Sequence, residues 1–159
     1  MIIAIFTYAF AMTAANLLII KFGVWLSPIN SFFLIGLTLV LRDWLHIKLK
    51  AWQMGLLIVF SGLITYALNP AAAQIAIASS LAFTLSAVVD WAVFAKVTGT
   101  WFKRSNVSNV AGAAVDSIAF PTIAFGVLMP EIVLAQFASK IVGGYIWSLT
   151  LRGRYEKTV

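Results

Sequence analysis

Cysteine is absent from the 159 residues, and acidic residues number only five. The first absence removes disulfides, thiolate nucleophiles and cysteine metal sites. With eleven bases, the second leaves 10% of the chain charged, against about 25% in an ordinary globular domain. A soluble fold of this size must cover its surface with polar side chains, and this chain has too few to do so. Metal-ligand spacing, a phosphate-binding loop and a nucleophile triad are missing as well. Enzymatic activity, an ATPase of its own, a metal and a cofactor are therefore not expected.

What the chain has is apolar length, since 62% of it is hydrophobic. A helix crossing a hydrocarbon core of about 30 Å needs about 20 mostly apolar residues. Six segments come close: 2–20, 24–41, 51–68, 71–95, 107–128 and 131–149. They predict an all-α, polytopic membrane bundle of six transmembrane helices in a single domain, joined by short connectors. Asn69-Pro70 divides the third segment from the fourth, Met129-Pro130-Glu131 divides the last two, and Ser105 or Asn106 can cap the fifth. Ser27-Pro28 falls early in the second, leaving a late start, a kink or a half-helix open there. Transmembrane β-strands are half as long and alternate, and these runs do neither. The N-terminal stretch lacks the basic region of a cleaved signal peptide, so cleavage is not expected.

Charge placement orients the bundle. Arg42, Lys48 and Lys50 follow the second segment, Lys96, Lys103 and Arg104 follow the fourth, and Arg152, Arg154 and Lys157 occupy the tail. Six crossings put all nine on one side, and the positive-inside rule makes that side, with both termini, cytoplasmic. The bases are scattered between apolar runs rather than gathered on one polar face, so the lipid bilayer and not nucleic acid is the expected partner. Trp44, Trp52, Trp91, Trp101 and Trp147 fall at cytoplasmic segment ends and Trp25 at the outer face, as an interfacial belt would have them. Trp91 and Trp147 are the two expected to turn inward if any do.

Ionisable groups at membrane depth cost roughly 2.5–3.5 kcal/mol each on insertion scales, so each needs a reason to be there. Asp116 and Lys140 each stand tenth in their predicted segments, which run in opposite directions, so both fall near the midplane. A salt bridge that merely pins the two helices is one explanation, and a polar ligand site at the bundle centre is the other. Asn109, Gly112 and Asp116 follow at i, i+3 and i+7 and share one helix face. For Gly112, close helix packing explains the residue as well as room for a substrate does. Arg42 and Asp43, just past the second segment, and Asp90, near the end of the fourth, are expected at a wet cytoplasmic mouth, as a gate or as interfacial ion pairs.

Three stretches then carry a resemblance: Ile29-Asn30-Ser31-Phe32-Phe33 through Leu41-Arg42-Asp43, Asp90-Trp91-Ala92-Val93-Phe94, and Ser108-Asn109-Val110-Ala111-Gly112 through Asp116-Ser117. With Lys140 in the last segment, they resemble the queuosine precursor transporter family, also called the vitamin uptake family. About two thirds of the chain takes part, although Thr38 stands where many members carry aspartate. The resemblance implies an inner-membrane protein importing a 7-deazapurine such as 7-cyano-7-deazaguanine. A guanine-like edge offers two adjacent N–H donors, which Asp116 can accept while Lys140 or Asn109 donates to the carbonyl oxygen. A transporter for another small solute such as a vitamin is the alternative, and a non-transporting membrane binding subunit is a third reading. Six helices enclose little volume, which leaves room for a homodimer.

Overall fold

The computed structural model describes residues 1–155, and the tail base Lys157 lies outside them. Six helices long and apolar enough to cross a membrane follow one another: α1 Ile2–Phe22, α2 Val24–Lys48, α3 Ala51–Leu68, α4 Pro70–Lys96, α5 Trp101–Phe125 and α6 Pro130–Tyr155. Connectors are a few residues long, so neighbours in sequence run antiparallel. α1 therefore begins where α6 ends, at the end that also carries the 49–50 and 97–100 connectors, here termed the basic end. A helix satisfies its own backbone in lipid, which is why apolar runs of this length take this form.

Polarity is inverted relative to a soluble protein. Phe6, Phe10, Phe60, Leu63, Leu81, Leu134 and Val142 are exposed on the outside, whereas Arg42, Asp43, Asp90, Asp116 and Lys140 are buried. Lipid solvates the first group, and only other helices can solvate the second. α4 and α5 form the most extensive helix contact. Their facing positions are small or polar at helical spacing, Ser79, Ala82 and Ser86 on one and Ser105, Gly112 and Ala113 on the other, which lets the backbones approach.

α2 is not uniform. It opens with a 3₁₀ turn at Val24–Leu26, continues through an α-helical turn at Ser27–Asn30 and a wide π turn at Ser31–Ile35, and is α-helical from Gly36 to Lys48. The π stretch packs on α6 at Gly143, where any Cβ would overlap the Phe32 carbonyl group. Such π turns recur at functional sites.

Three boundaries differ by six residues or more from the sequence expectation, one of them the end of α6, which runs to Tyr155 rather than 149. α5 starts at Trp101, six residues before the predicted 107, because the Thr100 hydroxyl caps it by accepting the Lys103 N–H at 3.3 Å. Lys103 and Arg104 thus belong to its first turn, and α5 ends at Phe125, capped by Gly126, whose φ of 72° suits glycine. α2 runs seven residues past Leu41 to Lys48, so Arg42 and Asp43 lie inside it. The tryptophans also depart from expectation. Trp44 and Trp101 turn inward, Trp91 is exposed, and half-buried Trp147 donates its indole N–H to the Phe33 carbonyl at 2.9 Å.

Candidate functional site

Two buried polar clusters lie on the bundle axis. The first centres on Asp116, nine residues before the end of α5, and Lys140, ten after the start of α6, so each is about 14 Å from the far end at 1.5 Å per residue. The expected pairing is present: Lys140 Nζ lies 2.9 Å from Asp116 Oδ2. Lys140 also donates to Ser117 Oγ at 2.9 Å and to Gln136 Oε1 at 2.8 Å. An ammonium has three donors, and all three are used. In this arrangement Lys140 has no donor left over; the sequence had offered Lys140 or Asn109 as the donor to a ligand carbonyl.

Around this pair is a narrow cleft of about 20 Å³, lined by the polar side chains of Asn16, Ser27, Asn30, Ser31 and Ser79 and by the rings of Phe83 and Phe120. Three of its buried polar atoms lack a hydrogen-bond partner: Asp116 Oδ1, Asn30 Oδ1 and Gln136 Nε2. Asn30 is fixed through its other atom, donating Nδ2–H to the Ala15 carbonyl at 3.0 Å. Buried polar groups without partners are costly, and two acceptors and one donor around one cleft are a ready set for a polar ligand. The gaps are narrow, with room for little more than one water molecule. A solute larger than water would enter only if the helices or side chains parted. Larger depressions, such as the one between Gly62, Tyr66, Ile77 and Leu81, are apolar and on the lipid-facing surface.

The second cluster holds the other candidates. Arg42 and Asp90 stand six residues before the ends of α2 and α4, about 9 Å in from the basic end. Both are fully buried, with Arg42 Nη2 3.3 Å from Asp90 Oδ1. The expectation of a wet mouth is corrected: these groups are enclosed by protein, because α2 continues past them and α5 covers them. Arg42 Nη1 donates to Ser86 Oγ at 3.0 Å, and Ser86 donates to the Gly112 carbonyl at 2.8 Å. Asp43 accepts the Ser105 hydroxyl, and Asn109 Nδ2 reaches Ser105 Oγ at 3.3 Å. Asn109 and Gly112 therefore belong with Arg42, Asp43 and Asp90, and not with the cleft at Asp116. Tyr8 of α1, buried with its ring edge-on to Phe83, is within electrostatic reach of both clusters.

Asn30, Gln136, Phe83 and Phe120, which line the cleft, were not singled out as candidate site residues from the sequence. Two had a signal there: Gln136 is one turn before Lys140, and Phe120 one turn after Asp116. Asn30 had none, because its place depends on the irregular start of α2.

A multi-pass helical membrane protein with a polar cleft at mid-depth, lined also by an aromatic pair, has the parts of a solute carrier. No curated protein and no solved structure matches the chain. A family model does match it, over residues 2–152, under the description "Putative vitamin uptake transporter". With nearly the whole chain matched, the protein belongs to this vitamin uptake transporter family.

Proposed function

We propose that the chain imports a 7-deazapurine precursor of queuosine, such as 7-cyano-7-deazaguanine, across the cytoplasmic membrane, with both termini in the cytoplasm. The supporting observation is the set of unpartnered atoms in the cleft. Asp116 Oδ1 and Asn30 Oδ1 are acceptors and Gln136 Nε2 is a donor, the complement of an edge that offers two N–H groups and a carbonyl oxygen. Phe83 and Phe120 are apolar walls for a flat ring. Family membership supports transport rather than binding alone. The family description also favours a second reading, a vitamin with the same polar edge in the same cleft. For orientation, the support is the seven bases Lys48, Lys50, Lys96, Lys103, Arg104, Arg152 and Arg154 at the basic end.

The test is uptake of labelled 7-cyano-7-deazaguanine by cells lacking their own synthesis and uptake routes, with and without this gene. Accumulation only in cells carrying the gene is the expected result. No accumulation despite confirmed membrane expression would turn the assignment to the vitamin reading.

A further inference from the structure

Two of the five acidic side chains, Asp43 and Asp90, are buried side by side with a single guanidinium. Asp43 lies within hydrogen-bonding reach of Asp90 as well as of Ser105. Arg42 supplies one positive charge against two carboxyl groups. The groups acting on Asp43 are Asp90, Arg42 and Ser105, and no second base is among them. Arg42 is in turn faced by Asp90, Asp43, Tyr8 of α1 and Asp116 of α5. Lys140 is committed to Asp116. His46, one turn along α2 and half-buried, is also within electrostatic reach of Arg42 and Asp90 and could carry a balancing charge.

The oxygens carry a second, independent sign. Apart from the 3.3 Å ion pair between Arg42 Nη2 and Asp90 Oδ1, which is not aligned as a hydrogen bond, Asp90 Oδ2 and Asp43 Oδ1 are buried and accept no hydrogen bond, and Arg42 Nε donates none. Ionised carboxylates only accept, so two of them in contact repel and leave each other unsatisfied. A proton on one turns that contact into an O–H···O hydrogen bond and brings the cluster to neutrality.

We propose that Asp43 and Asp90 hold one exchangeable proton between them, a proton-binding site at the basic end of the bundle, distinct from the ligand cleft at Asp116. Only an O–H bond forms or breaks, and because the cluster is enclosed about 9 Å in from the basic end, the proton exchanges with the water there through a local opening of the helices. Its loss leaves a net negative charge in a dry core and pushes Asp43 on α2 away from Asp90 on α4. Proton occupancy and the packing of these two helices are thereby linked, which is the coupling a proton-driven carrier requires. The site stands on its own geometry, whatever solute the cleft takes.

The test is infrared difference spectroscopy on the intact protein in lipid nanodiscs near neutral pH, following the C=O stretch of a protonated carboxyl group and its shift in heavy water. The wild type is expected to show the band. Asp43→Asn and Asp90→Asn should each abolish it, because either leaves one carboxylate matched to Arg42. It should persist in His46→Gln and in Asp116→Asn combined with Lys140→Met. If an asparagine variant does not fold, Ser105→Ala serves instead: removing the donor to Asp43 should move the band without erasing it. No band in the wild type, a band surviving either asparagine substitution, a band lost with Asp116, or one unmoved by Ser105→Ala would each overturn the proposal. No solute enters these measurements, so failed uptake and a failed proton site are told apart.

Discussion

Gly112 of α5 has no side chain because Arg42 of α2 occupies the space one would fill: a Cβ there would come within 2.8 Å of Arg42 Nη2 and 3.1 Å of the Asp90 Cβ. The guanidinium crosses the bundle to reach Asp90, and the glycine is its passage. Gly112→Ala is expected to destabilise the protein by about 1–3 kcal/mol, the usual range for overpacking a tight core. Gly144→Ala is the control, since a Cβ there meets nothing nearer than 3.9 Å. Thermal unfolding in detergent should lower the midpoint for Gly112→Ala and leave it unchanged or raised for Gly144→Ala. Equal effects would remove the Arg42 passage as the explanation.

Six helices were legible because lipid demands long apolar runs, and Asp116 with Lys140 because one short connector and equal depth bring them together. Arg42 was not. Its burial depends on Asp90, far along the chain, and its place after Leu41 resembles an ordinary basic helix exit. The start of α5 was hidden for a related reason: Lys103 and Arg104 look like loop residues, yet Arg104 lies over the Phe94 ring at 4.1 Å and donates to the Phe94 carbonyl. A cation at a helix start is tolerated when an aromatic and a carbonyl receive it. Asn109 and Gly112 do share a face with Asp116, as the spacing says. About 1.5 Å of rise per residue still carries them down the axis into a different cluster.

Topology gives a direct check. Asn69 precedes α4 at the far end and Gly99 lies in the connector at the basic end. Reporters inserted at the two positions should be active on opposite sides of the membrane, Gly99 on the cytoplasmic side. Agreement between the two would break the six-crossing arrangement, and reversal would overturn the orientation alone.

Gln136 both helps to hold Lys140 and offers the ligand a free donor. Its Oε1 serves Lys140 and its Nε2 is unpartnered. Gln136→Met keeps the volume, leaves Lys140 with Asp116 and Ser117, and removes the free donor. One net hydrogen bond is worth about 0.5–1.5 kcal/mol, so binding of 7-cyano-7-deazaguanine should weaken roughly 2- to 13-fold. Unchanged affinity would mean that the Gln136 amide does not face the ligand.

Asp116 and Lys140 allow the sharpest division between scaffold and site. Asp116→Asn strands a buried ammonium, and breaking a buried pair in this way costs about 3–5 kcal/mol. That loss is expected whatever the pair is for, so the single variant measured by stability alone decides nothing. Combining it with Lys140→Met removes both charges at similar volume, and replacing a buried pair by uncharged groups is often neutral. The double variant should therefore recover most of its thermal stability. Uptake should not follow, because asparagine offers the ligand an N–H where Asp116 Oδ1 offered only acceptance, and an N–H facing the ligand's own donors repels them. Folding restored with uptake still absent is the expected outcome, read from the unfolding midpoint and labelled-solute accumulation in parallel. A double variant that folds and transports like the wild type would show that the pair only pins α5 to α6.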